Sequence, residues 1–193
     1  MNIDRQVREV YSEIICDLSD RESCERWKSE HEAVIGSEKP LFSYMMATYN
    51  DESLFNVAVN SLLSQTFENW ELIILDNSDR NPHLWEMIEN AMYADKRIRG
   101  IKSDRNYGWP KAASICLQYV RGEYTTFLAA DDCLCLNALD KMSKILWKES
   151  PDILWVGNLF VEYNAEHVAL LGERIPQTKV YNSENRSELR VKL

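Results

Sequence analysis

The sequence lacks long apolar segments. No apolar run approaches the roughly 18 residues that cross a bilayer, and the first five residues, MNIDR, lack the apolar core of a secretory signal. Internal repeats and low-complexity segments are also missing. At 193 residues, the chain is long enough for one domain with a substantial core. These features predict a soluble, cytoplasmic, globular protein without a transmembrane segment.

Basic residues are scarce relative to acidic ones. The chain has 22 Lys and Arg against 31 Asp and Glu, which gives a net charge of −9. This balance argues against nucleic acid or an anionic membrane surface as the main partner. The five cysteines have no regular spacing, which predicts free thiols in a reducing compartment. Cys133 and Cys135 lie close together, but no second pair or nearby histidine completes a zinc site.

Residues 1–39 are predicted to form an N-terminal helical extension. Apolar residues recur there with helical spacing, at Ile3, Val7, Val10, Tyr11, Ile14 and Leu18. Ser19 and Glu22 have the spacing of a capping box and predict the start of a second helix, which ends near Gly36. The two helices either pack on the rest of the protein or mediate self-association.

Residues 40–193 are predicted to form an α/β domain. The predicted strands cover residues 41–47, 71–75, 98–101 and 123–128, and a further strand begins at 152. The predicted helices between them cover residues 53–64, 82–93, 110–120 and 139–147. This alternation predicts a mostly parallel central sheet with helices on both faces.

Two adjacent carboxylates, Asp131 and Asp132, follow the strand at 123–128, which its apolar and aromatic residues predict to be central and buried. Two acids are costly to hold together without a partner, and a divalent cation bound by oxygen atoms is the usual partner. The alternative is that the pair turns the chain and caps the helix that starts near Asn137.

Four predicted strands carry small, polar or acidic residues to one rim of the sheet. Ligands of parallel sheets bind beyond the carboxyl ends of the strands. Those ends are residues 47–50 (ATYN), 76–78 (DNS), 104–106 (DRN) and 131–132 (DD). Lysine is absent from these segments, so a phosphate bound there needs a metal ion or backbone donors.

Five segments in unbroken order resemble family 2 of the glycosyltransferases, which has the Rossmann-like GT-A fold. They are residues 43–50 (SYMMATYN), 61–74 (SLLSQTFENWELII), 76–78 (DNS), 106–108 (NYG) and 122–128 (GEYTTFL). The resemblance implies a nucleotide-diphospho-sugar donor, a divalent cation, Mn²⁺ or Mg²⁺, on its diphosphate, and transfer with inversion to a saccharide, glycolipid or protein acceptor. It implies roles in polysaccharide or glycoconjugate synthesis.

The resemblance also implies a set of site residues. The metal ligand is Asp131. Tyr49 is placed to pack against the nucleotide base, and Asn77 to accept a hydrogen bond from it, although each has a purely structural alternative as a loop or turn residue. The nucleotide-sugar site as a whole comprises Ala47, Thr48, Tyr49, Asn50, Asp76, Asn77, Asn106, Gly108, Ala130 and Asp131.

The chain departs from the family pattern at three points. Ala129 replaces the first acid of the Asp-x-Asp motif, and residues 113–114 are Ala-Ser where the family often has Arg-Asn. The residues after Asp131 offer no convincing general base, because Glu184 and Glu188 have the pattern of solvated helix residues, and this part of the sequence is interpreted as an incomplete acceptor half. A non-catalytic nucleotide-sugar-binding module is therefore the alternative function. A nucleotidyltransferase would need a glycine-rich basic loop after the first strand, and a receiver module a lysine near residues 156–158, and neither is present.

Overall fold

The computed structural model describes residues 14–31, 39–50, 52–79, 81–155, 159–163, 168–173 and 179–181. In chain order, the helices and strands are α1 (Arg21–His31), β1 (Phe42–Thr48), α2 (Glu52–Leu63), β2 (Trp70–Asp76), α3 (Pro82–Ala94), β3 (Ile98–Lys102), α4 (Trp109–Leu117), β4 (Tyr124–Phe127), α5 (Ala138–Glu149), β5 (Ile153–Trp155), β6 (Leu159–Tyr163), β7 (Val168–Glu173) and β8 (Lys179–Tyr181). Most bounds lie within a few residues of the prediction. Helix α4 ends earlier than predicted, because the amides of Gln118 and Tyr119 bond to carbonyls three residues back.

The central sheet has four parallel strands in the order β3-β2-β1-β4, which confirms the predicted α/β class. The predicted central position of the strand before Asp131 is wrong for the described residues. Strand β4 lies at the edge of this sheet, and Thr125, Thr126 and Phe127 are exposed. Apolar and β-branched composition predicts a strand, but it does not fix the place of that strand in the sheet. Beyond α5, β5 pairs with β8 and β6 with β7, both antiparallel.

Strands β1 and β2 hold the centre of the core. All seven residues of β2 are buried, as are all but one of β1, as expected for strands covered on both faces. Tyr44 and Met46 belong to a large apolar cluster with α2 and α3. Met45 faces the other way and packs with Ala112 and Cys116 of α4. The period of two along β1 therefore places helices on opposite faces of the sheet.

The N-terminal extension differs in part from the prediction. Its first thirteen residues lie outside the described ranges, and residues 14–18, predicted to belong to the first helix, form bends and the start of a turn. The second helix is confirmed as α1, but its cap is Asp20, whose carboxylate accepts the amide hydrogen of Glu22 at 3.0 Å. The hydroxyl of the predicted cap, Ser19, instead donates to Asp17 at 2.7 Å.

Asparagine side chains hold this turn against the domain. Asn60 is 1% exposed, and its carboxamide accepts from the Cys16 amide at 2.8 Å and donates to the Cys16 carbonyl at 2.7 Å. Asn56 accepts from the amide of Leu18, and Asn90 donates to its carbonyl. Residues 14–31 thus share the core of the sheet domain, and α1 turns its buried Cys24 and Trp27 inward.

Replacing Asn60 by leucine is expected to lower the free energy of unfolding by about 2 kcal/mol, because two buried backbone groups of Cys16 lose their partners. Urea unfolding of the wild type and Asn60→Leu measures this loss. Ser29→Ala removes an exposed hydroxyl contact in α1 and serves as the control with little change. Equal stability of Asn60→Leu and the wild type would show that the turn is not held by these bonds.

Candidate nucleotide site at the rim of the sheet

The four strands of the parallel sheet all end at one rim. Thr48 of β1 and Asp76 of β2 are paired in register there, and Asp76 pairs in turn with Lys102 of β3. The rim predicted from the sequence is therefore formed. The prediction that the rim lacks lysine is wrong. Strand β3 runs one residue longer than expected, and its last residue, Lys102, lies at the rim.

A depression of about 330 Å³ opens between the ends of β2 and β3 and the start of α3. It is lined by Asp76, Ser78, Asn81, Pro82, Lys102, Ser103 and Asp104. The ammonium group of Lys102 lies 4.8 Å from the centre of the Trp85 ring, so this cation has an aromatic neighbour. The depression combines hydroxyl, carboxamide and carboxylate groups with one nearby positive charge.

Asp76 is fixed at the floor of the rim. Its side chain is buried, and its carboxylate accepts hydrogen bonds from the amide of Ser78 at 3.0 Å and from the Ser78 hydroxyl at 2.5 Å. Its carbonyl accepts from the amide of Ser103 at 3.1 Å, which joins the ends of β2 and β3. The carboxylate is thus held in one orientation before any ligand arrives.

Asn77 and Asn106 build the neighbouring turn. The carboxamide oxygen of Asn77 accepts from the Tyr107 amide at 2.9 Å, and its nitrogen donates to the Asn106 side chain at 3.0 Å. Asn106 also accepts from the amide of Gly108 at 2.7 Å, and Gly108 has a φ of +71°, which favours glycine. These bonds give Asn77 the structural role that the sequence left open, and base recognition by Asn77 stays a prediction.

The last residue of β1, Thr48, has a buried hydroxyl without a partner. The Oγ1 atom of Thr48 is fully buried and has no hydrogen-bond partner, although the Thr48 carbonyl accepts from the Asn77 amide at 3.0 Å. The next residue, Tyr49, is 44% exposed. Asn50 has a φ of +57° and accepts a hydrogen bond from Asn81 at 3.3 Å. Ala47 is half-buried beneath this loop. The ring of Tyr49 is therefore the part of this segment that is open to a ligand, whereas the Thr48 hydroxyl has no exposed surface.

Asp131 and Asp132 lie on an exposed loop after β4. The amide of Leu128 still bonds to Met45 of β1 at 3.0 Å, and the amide of Asp132 closes a turn on Ala129 at 3.1 Å. Asp131 and Asp132 are exposed as whole residues, while Ala130 between the strand and the pair is buried. Partial burial of its carboxyl group and the neighbouring Asp131 carboxylate raise the pKa of Asp132.

This pair fits a divalent cation that substrate helps to bind. Mg²⁺ and similar hard cations in phosphate sites take one or two protein carboxylates, and waters and substrate phosphates complete the shell. Two neighbouring carboxylates, Asp131 and Asp132, match that number of protein ligands. Within the described ranges, no group of three His, Cys, Asp or Glu side chains gathers into a full metal cage.

An exposed aromatic pair at the rim was not anticipated from the sequence. The rings of Trp109 and Phe127 meet edge to face with their centres 4.8 Å apart, and they are 49% and 46% exposed. The sequence feature that could have predicted this pair is an aromatic residue directly after the turn glycine, Gly108, together with another at the end of β4.

Two further predictions concern Ser114 and the possible general bases after Asp131. Ser114, where the family often has Asn, donates its hydroxyl to the carbonyl of Pro110 at 2.9 Å within α4. Glu184 and Glu188 lie outside the described residues.

Among the described residues, none of the helices has the length and apolar character of a membrane span. All five cysteines are described, and none forms a disulfide.

Comparisons with known proteins agree on one family. The family described as "Glycosyl transferase family 2" matches residues 43–190. An uncharacterized glycosyltransferase of Haemophilus influenzae is 35% identical over 102 residues, 53% of this chain and 40% of that protein. WfgD of Escherichia coli, a UDP-Glc:alpha-D-GlcNAc-diphosphoundecaprenol beta-1,3-glucosyltransferase, is 26% identical over 143 residues, 74% of this chain and 54% of that protein. The chain thus spans about half the length of these relatives.

Solved structures show the same fold. Staphylococcus aureus TarS 1-349 in complex with UDP-GlcNAc has a TM-score of 0.53 and 22% identity, over 58% of this chain and 32% of that one. Mannosyltransferase PcManGT from Pyrobaculum calidifontis, in complex with GDP-Man and Mn²⁺, has a TM-score of 0.51 and 15% identity, over 68% of this chain and 40% of that one. At these identities, the likeness establishes the fold alone.

Proposed function

This chain belongs to glycosyl transferase family 2, and we propose that it binds a nucleotide-diphospho-sugar at the rim of its parallel sheet through a divalent cation held by Asp131. The observation that carries the proposal is the exposed Asp131–Asp132 loop, which follows β4 at the same rim as the ends of β1 and β2, Thr48 and Asp76. The complexes of TarS with UDP-GlcNAc and of PcManGT with GDP-Man and Mn²⁺ support the ligand class.

Each rim residue has a separate part in the proposed site. When bound, the cation neutralises the charge that develops on the leaving diphosphate during sugar transfer. Asp131 would hold it, and the exposed ring of Tyr49 would pack against the base. Asp76, whose carboxylate is already oriented by Ser78, would accept a hydrogen bond from a base or ribose donor.

The reaction proposed for the whole protein is inverting transfer of the sugar to a saccharide, glycolipid or protein acceptor. The name of the E. coli relative, a glucosyltransferase acting on a diphosphoundecaprenol-linked sugar, supports a role in polysaccharide or glycoconjugate synthesis. A cytoplasmic location belongs to the same proposal.

Ala129 favours a second candidate function. The family's first Asp-x-Asp acid is absent at this position, and the described residues offer no assigned general base. A module that binds nucleotide sugar without turnover fits these two features. The two candidates differ in turnover and share the binding site.

A panel of nucleotide-diphospho-sugars tests the proposal. UDP- and GDP-linked sugars are each added with Mn²⁺, and thermal melting and nucleotide release are followed. We expect one base class to raise Tm, with slow release of nucleotide and no transfer to added acceptors by residues 1–193, because a positioned general base is worth about 10²- to 10⁴-fold in rate. Ordinary multiple turnover onto an acceptor would contradict this expectation, and no Tm shift with any donor would contradict the proposed binding.

Restoring the missing acid is expected to strengthen binding. Ala129→Asp should tighten metal-dependent nucleotide binding by an amount on the order of 1 kcal/mol, because it adds one charged hydrogen-bond acceptor near the cation. Without metal, the third carboxylate should lower Tm, since it adds repulsion beside Asp131 and Asp132. Ala129→Asn, which adds similar volume without charge, is the control. Weaker binding by Ala129→Asp in Mn²⁺ would contradict the proposed register of the motif.

A further inference from the structure

The Asp131 loop is anchored on two sides. On the strand side, the Leu128 amide bonds to Met45 of β1. On the helix side, residues 134–139 are tied to the end of α2 by Ser61 and Gln65, which are 3% and 5% exposed. The five residues between these anchors, 129–133, include both exposed carboxylates.

Gln65 makes three hydrogen bonds that bridge α2 to the loop. Its Nε2 atom donates to the Ser61 carbonyl at 2.9 Å and to the Cys135 carbonyl at 3.1 Å. Its Oε1 atom accepts from the Leu139 amide at 3.1 Å, in the first turn of α5. Both amide hydrogens and the oxygen of a buried side chain are thus used for one junction.

Ser61 adds a fourth bond at the same junction. Its hydroxyl accepts from the Leu134 amide at 3.0 Å and donates to the Ala58 carbonyl within α2 at 2.7 Å. Leu134 is two residues from Asp132, so this bond fixes the chain close to the carboxylates. Because the hydroxyl donates to Ala58 and accepts from Leu134, the orientation of both hydrogen bonds is fixed.

We propose that Gln65, assisted by Ser61, is a positioning residue that sets the location of the Asp131 carboxylate for cation and diphosphate binding. This inference rests on the proposed function. A short loop held at both ends by buried bonds keeps its carboxylates near one geometry, and a cation with few protein ligands depends on that geometry. Gln65 acts through the loop and touches neither cation nor nucleotide.

The test compares two isosteric substitutions of buried carboxamides. Gln65→Met removes the bridge to Cys135 and Leu139 two residues beyond the end of α2, and Asn60→Leu removes the bonds to Cys16 from within α2. UDP and GDP are titrated into each variant with Mn²⁺ and with EDTA. In parallel, the labelling rate of each cysteine by a thiol reagent is followed by peptide mass spectrometry.

We expect Gln65→Met to weaken Mn²⁺-dependent nucleotide binding about 10- to 100-fold, the usual effect of losing a residue that orients a metal ligand. Binding in EDTA should not change, and Cys135 should be labelled faster. Asn60→Leu should keep both nucleotide affinities and instead speed the labelling of Cys16. Ser61→Ala, a milder change, should give a smaller loss in the same direction as Gln65→Met.

Three results would overturn the inference. The first is wild-type Mn²⁺-dependent affinity in Gln65→Met, or in Ser61→Ala should Gln65→Met fail to fold. The second is an equal loss of affinity in Asn60→Leu, which would indicate general destabilisation. The third is equal nucleotide affinity of the wild type in Mn²⁺ and in EDTA. This result would overturn the proposed cation site as well. The wild-type titration alone distinguishes it from the first two.

Discussion

Replacing Asp131 by alanine is expected to remove Mn²⁺-dependent nucleotide binding, with a loss of at least about 100-fold in affinity, or about 2.7 kcal/mol. The exposed carboxylate is the proposed protein ligand of the cation, and the described residues near it offer only Asp132 as another acid on the loop. Tm should stay the same or rise, because one of two crowded acids is gone. Calorimetric titration with UDP and GDP, together with thermal melting, measures both quantities.

Asp132→Ala is the matched control. Its amide closes the turn on Ala129, and the substitution keeps that bond while removing the second carboxylate. We expect a smaller loss of affinity than for Asp131→Ala. If Asp132→Ala abolished binding while Asp131→Ala retained it, the metal ligand would be misassigned by one residue.

The second large effect is expected far from the site, at Glu71 in β2. The Glu71 side chain is 2% exposed and accepts from the Ser43 hydroxyl at 2.5 Å and from the Arg121 amide at 2.7 Å. The guanidinium groups of Arg99 and Arg121 both lie 2.8 Å from its second oxygen. One carboxylate thus ties together β1, β2, β3 and the loop that leads into β4.

Glu71→Gln should lower the free energy of unfolding by about 3 kcal/mol, because either orientation of the amide points a donor at another donor. For a chain of this length, that loss corresponds to roughly 6 to 12 °C in Tm. Glu86→Gln, on the exposed face of α3, is the control and should change stability little. A Glu71→Gln variant as stable as the wild type would contradict a structural role for this network.

The Glu71 effect should also depend on pH. Burial opposes ionisation, but the hydrogen bonds from Ser43 and Arg121 and the charge of Arg99 outweigh it and hold the pKa of Glu71 below its ordinary value of 4.5. A lowered pKa in the folded state contributes stability above 4.5 that is lost as pH falls through the folded-state pKa. The difference in stability between wild type and Glu71→Gln should therefore be constant near neutral pH and shrink in acid. Urea unfolding of both proteins, from neutral pH to below pH 4.5, measures this difference in stability.

The sequence predicted the fold well where the pattern is local. Strand β2 is a continuous apolar run, and α3 begins with Asn81 as its cap and Pro82 in its first turn, so the structure confirms both closely. The N-terminal turns were not predictable from helical spacing, because their stability comes from Asn56, Asn60 and Asn90, which lie 38 to 72 residues away in sequence. The edge position of β4 likewise depends on pairing across the sheet.

In the site, too, local patterns were predictable from the sequence, and contacts between residues distant in sequence were not. The strand-end motifs predicted that the ends of β1 and β2 meet at the rim, since parallel strands all end on one side, but they missed Lys102. The motifs did not reveal that the Asn77 carboxamide is already bonded to the Asn106 turn, or that Gln65 holds the loop beyond Asp132. Such contacts join residues distant in sequence through single side chains, and no periodicity records them.

The most direct test of the proposed site is a calorimetric titration of the wild-type chain with UDP and with GDP, each in Mn²⁺ and in EDTA. We predict that one nucleotide binds at least about 100-fold more tightly with Mn²⁺, a difference of about 2.7 kcal/mol. Equal affinity in Mn²⁺ and EDTA for both nucleotides would contradict a cation held by Asp131 at this rim.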